Sequence, residues 1–525
     1  MNFLDPANIG SPSPQSQAIK NTKVWLEERL FGHRLWARQT PWLLFLEFLN
    51  VAEAFLHGEG DLFLPSQPEE MRRYRMRYRM GLRSILFDNE DIGRISQLQG
   101  GDDLKWKTWL ESMKERGIAG GFDYLRLQFP QFNHFSELVA LIKQTTLETE
   151  TNRRWSSRFI FPFGPDALYS DTIIKNGTPQ PDFNNFGRTG EILYAMISRS
   201  AHTERLRAHF TDLLDPERPK NKLVRRLASP VDADREREQK GETYLPYRQH
   251  PSFDRLAEDW LSVLDLALPE QDAYAYLVPL GAFHIILYQL ETAAKIAGRD
   301  ARPTLVCEMI APKREFVRQK SIASYQDNDS LSTQALDREI DRTLGSPEWL
   351  AIAADEVSEA EKFDAARLFI EKHFGFVLDE KLTENTVARL LEQLRQQIET
   401  KHDASCGRVH SDYGRYIGLS SRRGTNRMRY APTDALIKLL VVTRVTKRTE
   451  FKKFLHDIYI RYGLVFGEVE AFNALDKTGF QAAAFERNRA RLEARLSSMG
   501  LLNRLSDGCA YVVNPFAADK AEIDA

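Results

Sequence analysis

Apolar residues along this chain recur mostly with the spacing of helices. The clearest case follows Thr40. Thr40 suits an N-cap and Pro41 the first helical position, and Trp42, Leu43, Phe45, Leu46, Phe48 and Leu49 then cover almost every side. A helix apolar all round should be buried, and Gly58 and Gly60 should end it. A shorter helix carrying Val24, Trp25 and Leu30 is expected before it. Residues 100–150 read as alternating helices and loops. Ile192, Leu193, Met196 and Ile197 again repeat with helical period, and long helices are expected over 253–297 and 333–400, the latter with a stripe of Leu390, Leu391, Leu394 and Ile398. Strand signals are few. They are the run Phe159–Phe163, closed by Gly-Pro, and Arg302–Ile310, where Leu305 and Val306 follow a proline. The expected fold class is therefore mainly α and multidomain, with a small β component.

The C-terminal pattern is the most ordered. Pro432 and Thr433 open a helix with Leu436, Leu439 and Leu440 inward. A second runs from about Thr449 to Tyr462, stopped by Gly463, and a third from about Phe480 to Met499, stopped by Gly500. Two strands, Leu501–Leu505 and Cys509–Val513, flank Asp507-Gly508, a strong hairpin signal. Three helices followed by a hairpin is the order of a winged helix, a helix-turn-helix variant that presents its third helix to DNA or serves as a protein interface.

Length divides this pattern into parts. A chain of 525 residues exceeds one ordinary core. The expected divisions are a disordered tail 1–20, a helical domain 21–150, a central α+β region 151–330 with a charged, proline-rich excursion 215–250, a helical connector 331–400, and a basic loop plus winged-helix-like domain 401–525. The apolar run Ala273–Leu290 is broken by His284 and Gln289 and reads as a buried helix, not a membrane span. The first residues lack an apolar signal core. Cys307, Cys406 and Cys509 are far apart, which disfavours a disulfide framework or a thiolate zinc site and fits the reducing cytoplasm.

Net charge is −2, from 72 Lys+Arg against 74 Asp+Glu, which excludes a globally basic coat. Any nucleic-acid contact must be local. Residues 401–430 hold seven cations against two acids, a local charge of +5, and Arg415, Arg422, Arg423, Arg427 and Arg429 lie in a stretch read as a Gly/Ser-rich loop able to hold phosphates. Arg487, Arg491 and Arg495, with Arg489, sit on the third helix, diluted by Glu486 and Glu493. A secondary patch, Arg75, Arg79 and Arg83, falls within Pro68–Leu86. There Tyr74/Tyr78 and Arg75/Arg79 would stack on one helix face, either touching phosphates or simply solvated. Lys313, Arg314, Arg318 and Lys320 form a further basic segment with the same two readings.

Catalytic signals are weak. No Walker phosphate loop, GxSxG elbow or HExxH helix occurs. His402, Cys406 and His410 would share a face if they lay on one helix, but glycine interrupts the segment and no fourth ligand is evident, so they read as unrelated polar residues. No metal and no cofactor is expected. Asp166, Glu308 and Lys313 faintly match the carboxylates and lysine of metal-dependent nucleases, without the expected acid-x-lysine spacing.

Several phrases carry a family resemblance: FGHRLWARQTPWLLFLEFLNV, SRFIFPFGPDALY, FGRTGEILYAMISRS, GLSSRRGTNRMRYAPTDALIKLLV, RYGLVFG and LLNRLSDGCAYVVNPF. Together they resemble uncharacterised proteins of bacterial anti-phage defence islands, of phosphorothioation- or methylation-linked restriction systems. The resemblance implies a DNA-directed, multi-subunit setting with other defence subunits as partners, possible ATPases among them. It carries over no catalytic residue. The leading expectation is a non-catalytic, DNA-contacting adaptor subunit; the alternatives are a metal-dependent nuclease subunit and a protein-only scaffold.

Overall fold

The computed structural model describes residues 3–10, 25–58, 60–64, 75–77, 82, 85–86, 89, 91–115, 121–144, 164–168, 172–175, 178–181, 187–228, 236–238, 243–299, 302–309, 315–354, 357–376, 385–422, 427–506 and 509–517. It is mainly helical. The helices that matter below are α1 (Leu26–Phe31), α2 (Pro41–Gly58), α3 (Asp102–Glu115), α4 (Phe132–Gln144), α5 (Thr189–Ser198), α6 (Thr203–Leu213), α7 (Pro251–Leu264) and α8 (Glu270–Ile296). They continue with α9 (Phe316–Leu344), α10 (Glu359–Phe374), α11 (Val387–Ala404), α12 (Val409–Tyr416), α13 (Asp434–Arg444), α14 (Phe451–Tyr462), α15 (Glu468–Ala474) and α16 (Ala482–Ser498).

Strands are short: β1 (Arg75–Arg77), β2 (Thr172–Lys175), β3 (Thr178–Pro181), β4 (Glu236–Glu238), β5 (Leu305–Val306), β6 (Ser420–Ser421), β7 (Arg429–Tyr430), β8 (Thr449–Glu450), β9 (Leu464–Val465), β10 (Leu502–Ser506) and β11 (Cys509–Val512). They pair as β1–β4, β2–β3 and β6–β7, all antiparallel, as a parallel β5–β9 pair, and as one three-stranded antiparallel sheet in the order β10-β11-β8.

Helix α2 forms where its pattern predicts. The Leu43 N–H donates to Thr40 Oγ1 at its start, and its apolar side chains are buried except for the partly buried Trp42, Ala54 and Leu56. Phe48 meets Trp260 of α7 edge-on at 5.0 Å between centroids, and Phe55 stacks on Tyr194 of α5 at 4.9 Å. Such aromatic pairs add to area burial by about 1 kcal/mol each. Helix α8 is long and apolar enough to cross a membrane by composition, yet 83% of that window is buried inside the protein, as in a core helix. A smaller aromatic centre, Trp106 and Trp109 of α3 with Phe132 and Phe135 of α4, holds the 102–144 segment.

A buried polar knot fixes α5 against α2. Arg188 precedes α5 in the left-handed region at φ 72°. Its guanidinium forks onto Glu191 at 2.8–3.1 Å, and Thr243 also donates to Glu191. Glu47 of α2 accepts the N–H groups of Arg188 and Gly190 at 3.0 and 2.8 Å, capping α5 from another helix. Gly190 is required by contact: a Cβ there would sit 2.6 Å from the Leu44 carbonyl oxygen and 2.7 Å from Phe48 N. Two buried carboxylates lie close together here. Burial, and then the Glu191 carboxylate, push the Glu47 carboxyl up from its ordinary 4.5 to about 8.

Four expectations change. The helix predicted over Pro68–Leu86 gives way to a strand at β1, which pairs in antiparallel register with β4, Arg75 opposite Glu238 and Arg77 opposite Glu236, a long-range pairing that local spacing cannot reveal. Arg79 and Arg83 lie outside the described residues, as does Phe159–Phe163. The 215–250 excursion contains a short helix, Asn221–Arg225, and buries Tyr244, Leu245 and Tyr247 in the core. The Arg302–Ile310 strand contracts to Leu305–Val306. The 401–430 loop is helical through Tyr416, because Leu390, Leu394, Ile398, Val409 and Tyr413 all face the interior.

Replacing Gly190 with Ala is expected to destabilise the fold by about 3 kcal/mol, measured by chemical denaturation, since backbone on α2 cannot yield to the added methyl. The Glu47 value sets a pH signature. Its folded value lies above the unfolded one, so its contribution is fully present below about pH 4.5 and is lost as pH rises through about 8. The stability of Glu47→Gln relative to the natural protein should therefore improve across that window.

Candidate nucleic-acid interface

The C-terminal part is built as α13–β8–α14–β9–α15–α16–β10–β11. Thr433 caps α13 through its hydroxyl, which accepts the Leu436 N–H, and Gly463 ends α14 in the left-handed region. The second predicted helix starts at Phe451 because Thr449 and Glu450 pair with Val512 and Tyr511 as the third strand of the sheet. The hairpin strands flank residues 507–508 as predicted.

This part is welded to the rest of the chain. Asp259 of α7, fully buried, accepts from Tyr462 OH at 2.7 Å and pairs with Arg461 Nη2 at 2.7 Å and Arg444 Nη1 at 3.4 Å. His284 of α8 stands 2.7 Å from Oδ2, the oxygen that also accepts from Tyr462, while the arginines meet Oδ1. Burial pushes the Asp259 carboxyl up, but the His284 hydrogen bond and the nearby positive charges outweigh it and hold the group below the usual carboxylate range. Burial, the largest influence, pulls His284 below its ordinary value against the opposing pull of Asp259. Asn488 of α16 stitches the parallel strands, donating to the carbonyls of Cys307 and Phe466 at 2.9 Å and accepting the Met309 N–H at 2.8 Å.

The sequence-derived arginines separate into three groups. Arg429 is buried and pairs with Glu308, which is 2% exposed and lies 3.7 Å from Arg318 on its other oxygen. Arg415 pairs with Asp412 on its own helix. On α16, Arg487 and Arg491 both reach Glu315, at 3.5 and 2.9 Å, and Arg495 reaches Asp434 at 2.9 Å. Arg487 is nonetheless 58% exposed along its side chain. Arg422 and Arg427 are exposed and make no ion pair with described residues. They flank 423–426, so Arg423 lies outside the described residues. A cleft of about 410 Å³ opens along α16, lined by Met309, Arg491, Ala494, Arg495 and Ser498.

Sequence reading overlooked a second exposed basic group. Lys447, Arg448, Lys452 and Lys453 surround β8, all exposed and none ion-paired among the described residues, with Arg448 over the Tyr511 ring at 4.5 Å. Four cations within seven residues was the available signal.

The carboxylates weighed for nuclease chemistry are engaged elsewhere. Asp166 pairs with Arg225 at 3.2 Å, Glu308 is locked between Arg429 and Arg318, and Lys313 lies outside the described residues. His402, Cys406 and His410 do not share one helix: α11 ends at Ala404 and α12 begins at Val409. His410 turns to Asp329 and Tyr430, both at 2.8 Å. His402 and Cys406 instead meet Glu27 of α1 in the interior. Glu308→Ala should destabilise the protein by about 4 kcal/mol in denaturant titration, because it removes the buried carboxylate that two buried guanidinium groups share. A variant as stable as the natural protein would remove this structural role.

Neither a scan against protein-family models nor a search of curated proteins finds a match for this chain.

Proposed function

We propose that the protein is a non-catalytic, DNA-contacting adaptor subunit of a bacterial anti-phage defence assembly, working in the cytoplasm beside other subunits of the restriction type. The observation that carries DNA contact is the strand order of the C-terminal sheet. The strand between α13 and α14 pairs with the last strand of the hairpin, a pairing that winged helices share, and this supports reading α16 as the recognition helix, with β9 and α15 as additions to that order. Exposed cations with no ion pair among the described residues then stand where backbone phosphates can be met: Arg422 and Arg427 at the β6–β7 hairpin, and Lys447, Arg448, Lys452 and Lys453 around β8.

Phosphate contacts of this kind hold DNA without reading its sequence. The α16 arginines are already shared with Glu315 and Asp434, so they contribute orientation more than net charge. That sharing favours a second reading, in which the winged helix is a protein interface. Exposed Ile460, Val469 and Phe472 on α14 and α15 fit it.

The double substitution Arg422→Ala/Arg427→Ala tests the leading reading. It should weaken duplex binding equally across unrelated sequences, and for each phosphate no longer neutralised the log–log salt slope should flatten by about 0.9. Unchanged affinity and slope would leave the protein-interface reading standing.

A further inference from the structure

Three side chains from two distant stretches of chain converge in the interior. Glu27 comes from α1, His402 from the last turn of α11, and Cys406 from the turn that follows. All are buried, and one ligand-capable atom from each lies within 4.8 Å of the others. Glu27 Oε2 and His402 Nδ1 are 3.1 Å apart.

Each is also held from behind by a second partner. Ser405 Oγ donates to the other Glu27 oxygen at 3.3 Å. Ser332 Oγ of α9 stands 2.8 Å from His402 Nε2, which leaves Nδ1 as the ring's ligand atom. Gln289 of α8 donates to Cys406 Sγ at 3.2 Å and to the Cys406 carbonyl at 2.7 Å. Outer partners on every ligand are the usual accompaniment of a metal centre, because they fix tautomer and orientation. Gln289, 1% exposed, also keeps its Oε1 without a hydrogen-bond partner at the edge of the cluster. Gly407 permits the turn: a Cβ there would sit 2.8 Å from the His402 ring.

With a metal bound and Cys406 ligating as a thiolate, the carboxylate, thiolate and neutral imidazole would carry two negative charges, which one dication cancels. Glu28, next in sequence, cannot draw on that charge because Lys401 already neutralises it at 2.5 Å. The donor set of sulfur, nitrogen and oxygen excludes Ca²⁺ and Mg²⁺ and selects Zn²⁺ or a dication of its class. The geometry points to a buried Zn²⁺ site formed by Glu27, His402 and Cys406, which clasps α1 to the α11–α12 junction.

The test is elemental analysis of the full-length protein, produced with zinc supplementation and purified with reductant and without chelator. The expected result is zinc at one ion per chain, lost in His402→Gln and Cys406→Ser. Should those variants not fold, the natural protein still decides. Chelator treatment should lower its melting temperature, and refilling with Co²⁺ should give thiolate-to-cobalt absorption in the near ultraviolet. A natural protein without zinc that gives no cobalt band after Co²⁺ addition would overturn the site. So would zinc retained at full occupancy by a folded His402→Gln.

Discussion

A single buried carboxylate joins the C-terminal part of this molecule to its central body. Asp259 sits on a helix of the central body, and two of the four groups that gather on it, Arg461 and Tyr462, close the helix preceding Gly463, while Arg444 closes the helix before that. A charge this deep is tolerated only when its partners are in place, and removing one side of such a cluster strands the other. The C-terminal unit therefore cannot swing freely. Its position is set by electrostatics at Asp259 and by backbone pairing of Leu305–Val306 with Leu464–Val465. The continuous apolar core that runs from α2 to the C-terminal helices follows from that registration.

This rigidity shapes how the molecule meets a partner. The arginines of α16 lean back onto Glu315 and Asp434 and so belong partly to the fold. The cations left to the surface lie at its margins, on the β6–β7 hairpin and around β8. A unit held in one orientation, with exposed cations on its rim and apolar side chains such as Phe472 elsewhere on its surface, is compatible with the adaptor role we propose.

Local signals in the sequence reported local structure well. The Thr40-Pro41 start, the apolar wheel after it, the Gly463 stop and the Asp507-Gly508 turn signal each rest on interactions within a few residues, and the corresponding elements form. The β1–β4 pairing does not, because Arg75 and Glu238 are distant in sequence and meet only in the fold. The same reason hid Glu27. Nothing near LEERL marks it as a neighbour of Cys406, whereas the His402/Cys406/His410 spacing drew notice and assembled only in part. The basic character of residues 401–430 was legible as charge, but not as structure: Arg429 is spent on a buried acid, while Arg422 and Arg427 remain at the surface. The cluster around Lys447 was legible too, and was masked by the stronger arginine pattern beside it.

The most direct measurement is the salt dependence of duplex DNA binding by the natural full-length protein, followed with and without Mg²⁺. The account predicts binding at low salt that weakens along a straight log–log line, with about 0.9 of slope for each phosphate engaged, and DNA that stays intact in both conditions. Absence of binding at low salt, or Mg²⁺-dependent cleavage, would contradict it.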